Sequence, residues 1–226
     1  MSLDWQPLLL TFKLAGVTTL LLLIIGVPLA AWVAQTRSAL KPLIETLVSM
    51  PLVLPPSVLG FYLLLAFSPQ NPFGAFLQHY FDFSLVFSFP GLVLGSVLFS
   101  LPFMVQPVQS ALQTLAPSLA EASYTLGKSK FETHLRVLLP NVRPALLAGV
   151  ILSFAHTVGE FGVVLMIGGN IPGVTRVASI AIYDEVESLN YDAANFYALV
   201  LLVVSFTLLL TVYLVNRRLN YTRVAP

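Results

Sequence analysis

The chain is 226 residues long, 57% hydrophobic and only 9% charged, with a net charge of +1 and a mean hydropathy of +0.88. Soluble domains carry about 25% charged residues, so this composition excludes a soluble enzyme, and a charge balance near zero gives no electrostatic footing for nucleic acid. There is no cysteine, which removes disulfides, iron–sulfur clusters and thiolate zinc sites.

Uncharged runs occupy residues 14–36, 46–81, 83–120, 144–159 with 161–175, and 193–216. A helix rising about 1.5 Å per residue crosses roughly 30 Å of hydrocarbon in about 20 residues, so each run is long enough to hold a span. Stretches such as 20–25 and 199–204 are apolar on every side, which rules out the alternation of an outer-membrane barrel and leaves helices. The expected fold class is therefore all-α: a polytopic membrane protein of about five transmembrane helices, over 8–34, 48–67, 86–108, 144–168 and 196–216.

Asp4 precedes the first span and Arg37 and Lys41 follow it, the reverse of a cleaved signal peptide, so this span is expected to be permanent. The second span opens on Pro51, Pro55 and Pro56, each without a backbone donor; it either begins late or contains a hinge that lines the pathway. Residues 68–74 are turn chemistry, and the aromatic stretch from Phe76 to Phe83 suits a membrane interface. Pro102 in the third span admits the same two readings as the earlier prolines.

Between the third and fourth spans, Ser118 to Glu121 has the spacing of a capping box, and Ser129 to Glu132 repeats it. Gly127 sits where a left-handed turn needs a residue without a β-carbon. A short helix, a glycine elbow and a second helix stopping at Pro140 are predicted. Leu119, Ala122, Ser123 and Leu126 share one face of the first helix, which spacing alone leaves free to pack on its own spans or to insert into another protein.

The fourth span is interrupted by Gly159, Glu160, Phe161 and Gly162. A continuous helix is expected over 144–168, with a re-entrant turn after Glu160 as the competing picture. Glu160 is the one carboxylate well inside a span, four residues after His156, and is expected to tie helices together near a gate. The following segment, 169–195, carries Asp184, Glu185, Glu187 and Asp192 on a short helix, either a consequence of charge asymmetry or a docking surface. Counted on alternate sides, nine cations (Arg37, Lys41, Lys128, Lys130, Arg136, Arg143, Arg217, Arg218 and Arg223) fall on one side and only Lys13 and Arg176 on the other. The positive-inside rule then places the N-terminus outside and the C-terminus in the cytoplasm, in a plasma (inner) membrane.

Glu121, Ala122 and Ser123, with Gly127 four residues on and Val137, Leu139 and Pro140 beyond it, resemble the signature loop of ABC-importer permeases: Glu-Ala-Ala, three residues, Gly, nine residues, Ile, one residue, Leu-Pro. Ser123 for the second Ala and Val137 for Ile are the departures. Met50 to Pro56, Phe99 to Pro102, Thr125 to Gly127, Gly159 to Gly162 and Gly169 to Arg176 extend the likeness, over roughly 50–176, to molybdate permease subunits; sulfate and thiosulfate permeases share part of the pattern.

The resemblance implies a single permease domain over 1–226 with the coupling-helix loop 117–140 inside it. It also implies a homodimer of this chain in a lipid bilayer, a pair of cytoplasmic ABC ATPases that bind ATP and Mg, and an extracytoplasmic binding protein that delivers a tetrahedral oxyanion, molybdate before tungstate or sulfate. Glu121, Ala122, Ser123, Gly127, Leu139 and Pro140 are then the residues that couple to the ATPase. Pro55, Pro56, Pro102, Gly159, Glu160, Phe161 and Gly162 are the candidates for the pathway or its gate.

The chain itself is expected to be non-catalytic and without a cofactor. No Gly-x-x-x-x-Gly-Lys-Ser/Thr loop occurs. His79, His134 and His156 are too scattered for a metal site, and no Ser–His pair suggests an intramembrane enzyme. The competing function is an ion-coupled transporter with Glu160 and His156 as a proton relay; the loop spacing and the lack of an evident inverted repeat weigh against it.

Overall fold

A computed structural model describes residues 4–224, and the side chains of residues 4–214. Among the described residues there are helices and no strands. α1 (Gln6–Gln35) has Pro7 in its first turn, where a missing N–H breaks no bond, and runs on through Pro28. α2 (Lys41–Ser49), a 3-10 turn (Met50–Leu52) and α3 (Pro56–Phe67) follow. α4 (Pro72–Phe81) precedes α5 (Phe89–Gln113), which is capped by Ser88 Oγ accepting from Gly91 N–H and continues through Pro102 and Pro107. Next come α6 (Pro117–Thr125), α7 (Lys130–Thr133), a π turn (His134–Leu138) and α8 (Leu139–Asn141). α9 (Arg143–Val158), α10 (Gly162–Gly168), α11 (Ala178–Glu187) and α12 (Tyr191–Val224) complete the chain.

Three helices are long and apolar enough to cross a bilayer: α1, α5 and the 191–214 part of α12. Counting each of two bent pairs as one span, 41–52 with 56–67 at 109° and 130–141 with 143–158 at 80°, gives up to five among the described residues. Two expected spans thus have a different shape. In the second, Pro55 and Pro56 cannot donate to the carbonyls four residues back, so the helix ends and restarts as the 12-residue α3, about 18 Å long. In the fourth, the continuous helix expected over 144–168 does not form; it stops at Val158 and restarts at Gly162. Phe161, at φ −126° and ψ −60°, lies outside helical geometry. The Glu160 carbonyl accepts from Ser179 Oγ at 2.6 Å instead of from a helical N–H.

α5 is the axis of the bundle: 61% of its most apolar stretch is buried, against 6% for α12, which lies at the periphery. Met104 of α5 is fully buried between two glycines, Gly26 of α1 and Gly149 of α9, where an added Cβ would stand 3.0 Å from its side chain. In lipid, such close approach replaces the hydrophobic effect as the source of cohesion. α3 and α10 lie side by side and run the same way, Pro56 against Gly162 and Gly60 against Met166, and both meet α5 at Gly95.

α11 packs with the N-terminal ends of α1 and α12, which are also bonded to each other. Thr11 Oγ1 accepts from the Ala178 N–H at 2.8 Å, and the Tyr197 hydroxyl donates to the Asp4 carbonyl at 2.7 Å. A short helix carrying Asp184, Glu185 and Glu187 is present, while Asp192 falls in the first turn of α12, and the charges of the short helix are largely engaged within the chain. Asp184 pairs with Arg176 at 3.2 Å and accepts from Asn170, Glu185 accepts from Asn190, and Glu187 accepts from the Tyr183 hydroxyl. α4 carries exposed Phe73, Phe76, Tyr80 and Phe81, as an interfacial segment should. The side chains of Arg217, Arg218 and Arg223, three of the nine cations that set the expected orientation, lie outside the described residues.

Candidate functional site

Pro117 opens α6 at its first position, with Ala116 before it as the N-cap and no side chain capping the helix. The capping box expected at Ser118 therefore does not form: proline's fixed φ starts the helix one residue early and leaves Ser118 inside the first turn. The second box forms by half. Ser129 Oγ accepts from the Glu132 N–H at 3.2 Å, but Glu132 turns outward to Lys128 Nζ at 2.9 Å and Arg136 at 3.0 Å. The hydrogen bond from Lys128, with the two positive charges, holds the Glu132 carboxyl below the usual range.

Between the two helices Gly127 adopts φ +77°, its N–H donating to the Tyr124 carbonyl at 2.9 Å while the Lys128 N–H reaches Ser123 at 3.2 Å. No atom lies within 4 Å of where a Cβ would stand, so the backbone angle alone calls for glycine. Ser123, expected on an exposed small-residue face, is buried and shares a 2.8 Å hydrogen bond with Thr133, itself fully buried. The Leu119–Ser123 side of α6 thus packs on its own chain, closing the elbow. Glu121, Ala122, Tyr124 and Leu126 remain exposed, Leu126 at 79%. Glu121 makes no hydrogen bond or ion pair among the described residues.

The second helix does not stop at Pro140. Without a donor there, the turn before it widens to a π turn, α8 carries Pro140 and ends at Asn141, and the Asn141 side chain donates to the Val137 carbonyl at 2.7 Å. Leu139 is half-buried against the core. His134 shares a 2.6 Å hydrogen bond with Gln35, which ties this segment to the end of α1.

The second feature is a cleft of about 640 Å³ where α3 and α10 begin, lined by Pro56, Ser57, Phe99, Ala155, His156, Gly159, Glu160, Phe161 and Gly162. Five of the seven pathway candidates therefore meet, although about 100 residues separate the two breaks. A Cβ on Gly162 would stand 2.7 Å from Pro56 Cβ, so the two helix starts touch. Pro55 caps α3 just outside the cleft, and Pro102, buried within the continuous α5, does not line it. No Lys or Arg lines it either.

Glu160 is 3% exposed, and neither carboxylate oxygen has a hydrogen-bond partner among the described residues. The Glu160 side chain makes no hydrogen bond to His156, which is engaged elsewhere, so the expected interhelical tie is not made by the carboxyl. The His156 ring stacks on Phe103 at 4.1 Å and leans on Phe99 at 4.7 Å, and its Nδ1 bonds to Ser100 Oγ at 2.9 Å. Glu160 links helices through its backbone carbonyl and Ser179 instead.

Residues 26–221 match the model of the binding-protein-dependent transport system inner membrane component. The chain belongs to this family, the permeases of ABC importers. The permease is 47% identical to the molybdenum transport system permease protein ModB of Azotobacter vinelandii over 210 residues, 93% of each chain. It is 36% identical to the sulfate transport system permease protein CysT of Salmonella typhimurium over 84% of this chain and 69% of that one. Its fold matches a chain of the MetNI methionine ABC transporter in inward-facing conformations with a TM-score of 0.72, at 18% identity, covering 96% of this chain and 99% of that one.

Ser57, which lines the permease's cleft, was not singled out from sequence, and Phe99 and Ser100 entered only inside the Phe99 to Pro102 stretch of the resemblance. Ser57 had a usable signal, since it is the first residue after the proline pair able to offer a backbone N–H at a helix start. For Phe99 and Ser100 the motif marked the stretch but not the orientation, since in an uncharged run only packing shows which face turns inward.

Proposed function

We propose that this permease is the membrane passage of an importer for a tetrahedral oxyanion, molybdate foremost, with tungstate and sulfate as the near alternatives. The observation that carries the substrate is the 47% identity to a molybdenum permease along 93% of both chains. The sulfate relative, more distant and covered less fully, supports the alternative. The absence of Lys and Arg from the cleft supports a passage that binds weakly, with selection made by a separate extracytoplasmic binding protein.

In this reading two copies of the chain form the pathway, and the chain itself catalyses nothing. ATP and Mg are bound by a pair of cytoplasmic ATPases, which dock on the exposed face of α6. Glu121, Ala122 and Leu126 make that contact; Ser123, Gly127, Leu139 and Pro140 fix its shape from behind. The charge asymmetry supports an outside N-terminus and a cytoplasmic C-terminus. The cleft residues, with Pro55 at its edge, form the pathway. Pro102 acts from within α5, as part of the wall behind Phe99.

The test is ATP-driven uptake of isotopic molybdate by the complete assembly in the presence of sulfate. Molybdate uptake is expected to withstand a large excess of sulfate. Competition at equal concentration would remove the molybdate assignment.

A further inference from the structure

Glu160 lines the cleft, is almost wholly buried, and has two oxygens without partners. A carboxylate ionised in such a place is far more costly than the neutral acid, whose one proton needs a single acceptor. Its surroundings can be named helix by helix. α5 brings the Ser96 hydroxyl, which faces the carboxyl outside hydrogen-bonding geometry and has no partner of its own. α3 brings Ser57 and α9 brings His156. α11 brings Ser179, bonded to the Glu160 carbonyl, and Tyr183, whose ring meets Phe161 at 5.5 Å while its hydroxyl donates to Glu187. The one cation of α1, Lys13, stands over Phe89 at the start of α5, 4.6 Å from the ring centre. Among the described side chains, no positive charge faces Glu160.

His156 does not supply a donor. The Thr157 hydroxyl gives its proton to the Ser153 carbonyl at 2.9 Å, so in the 3.1 Å contact between Ser100 and Thr157 it is Ser100 that donates. Ser100 then accepts from His156 Nδ1. The neutral imidazole carries its proton on Nδ1, and Nε2 is an acceptor. An oxyanion entering the cleft needs hydrogens, and the lining offers the Ser57 hydroxyl, the backbone N–H groups at the starts of α3 and α10 (Ser57, Phe161 and Gly162), and the Glu160 carboxyl, the one of these buried without a partner.

Resting on the oxyanion reading above, we infer that Glu160 meets the transported oxyanion as a neutral carboxylic acid and donates its O–H to it. Ser57 completes the contact from α3. Ionisation of Glu160 sets a carboxylate against the oxyanion, so passage closes as pH rises.

The test uses the complete importer in proteoliposomes, with isotopic molybdate delivered by the binding protein and uptake expressed per ATP hydrolysed, from about pH 6 to about pH 9. Glu160→Gln donates an amide N–H at every pH. Its uptake stays within about twofold of wild type at neutral pH and remains level on the alkaline side, where wild type falls by about tenfold per pH unit once the carboxyl ionises. Glu160→Leu fills similar space without a donor and loses about tenfold or more at every pH, while co-purification with the ATPase is unchanged. If Glu160→Gln falls as far as Glu160→Leu, or if Glu160→Leu matches wild type, the inference is overturned. A wild-type importer that carries sulfate in place of molybdate removes the molybdate assignment alone, and the same variants then decide the role of Glu160 on sulfate.

Discussion

In the 117–140 loop the buried hydroxyls of Ser123 and Thr133 satisfy each other, and Glu132 holds two cations. At the cleft, the carboxyl of Glu160 is buried without a formed hydrogen bond, and the Ser96 hydroxyl that faces it from α5 is buried without one too. The loop is complete as it stands, a rigid elbow that presents Leu126 outward. The cleft is unfinished, and a buried polar group without a partner costs about 1–3 kcal/mol. A part that passes on force gains from being fully bonded to itself. On the proposed reading, a part that lets an anion through gains from holding donors it has not yet used, among described side chains that bury no cation.

Four tests press on that contrast, in falling order of effect. Gly162→Val sets a side chain against Pro56 and forces the starts of α3 and α10 apart; a loss of about 1–3 kcal/mol in thermal stability in detergent is expected, together with loss of uptake. Gly159→Ala, with nothing nearer than 3.8 Å, is the control and should leave both largely intact. If the two behave alike, the close contact between the helices is not what shapes the cleft.

Thr133→Val leaves the Ser123 hydroxyl buried and alone, for about 1–2 kcal/mol, and Ser123→Ala does the converse. The double substitution should recover most of the loss, a coupling read from a double-mutant cycle. Additive losses would show that the hydrogen bond does not close the elbow. Gly127→Ala meets no atom and strains only the backbone, so about 1 kcal/mol and a weaker ATPase association are expected, measured by co-purification.

The smallest effect belongs to Glu132, which is partly exposed. Its carboxyl is held below the usual range by Lys128 and Arg136, so its contribution is present at neutral pH and is lost as pH falls through the lowered value. Loop stability, followed by hydrogen exchange, should fall on acidification in wild type and change less in Glu132→Gln. An equal acid response in both would place the sensitive group elsewhere.

The helical membrane fold was legible because long uncharged runs admit no other economical structure, and the elbow was legible because Gly127 and the capping residues act locally. The failures have local causes too. At Ser118 a proline beside the box took over the start of the helix, and at 159–161 a tertiary contact, Gly162 on Pro56, favoured the break over the expected rod. The meeting of Pro56 with Glu160 was not legible at all. Pairing two breaks so far apart in sequence depends on α3 and α10 crossing the same glycine of α5.

The amount of molybdate taken up per ATP hydrolysed tests the division of labour most directly. Leu126→Asp on the loop should lower uptake and hydrolysis together, leaving the ratio near that of wild type, because fewer importers are engaged. Ser57→Trp in the cleft should lower the ratio by about tenfold while hydrolysis continues, because engaged importers are blocked. A ratio that falls for Leu126→Asp and holds for Ser57→Trp would contradict the account.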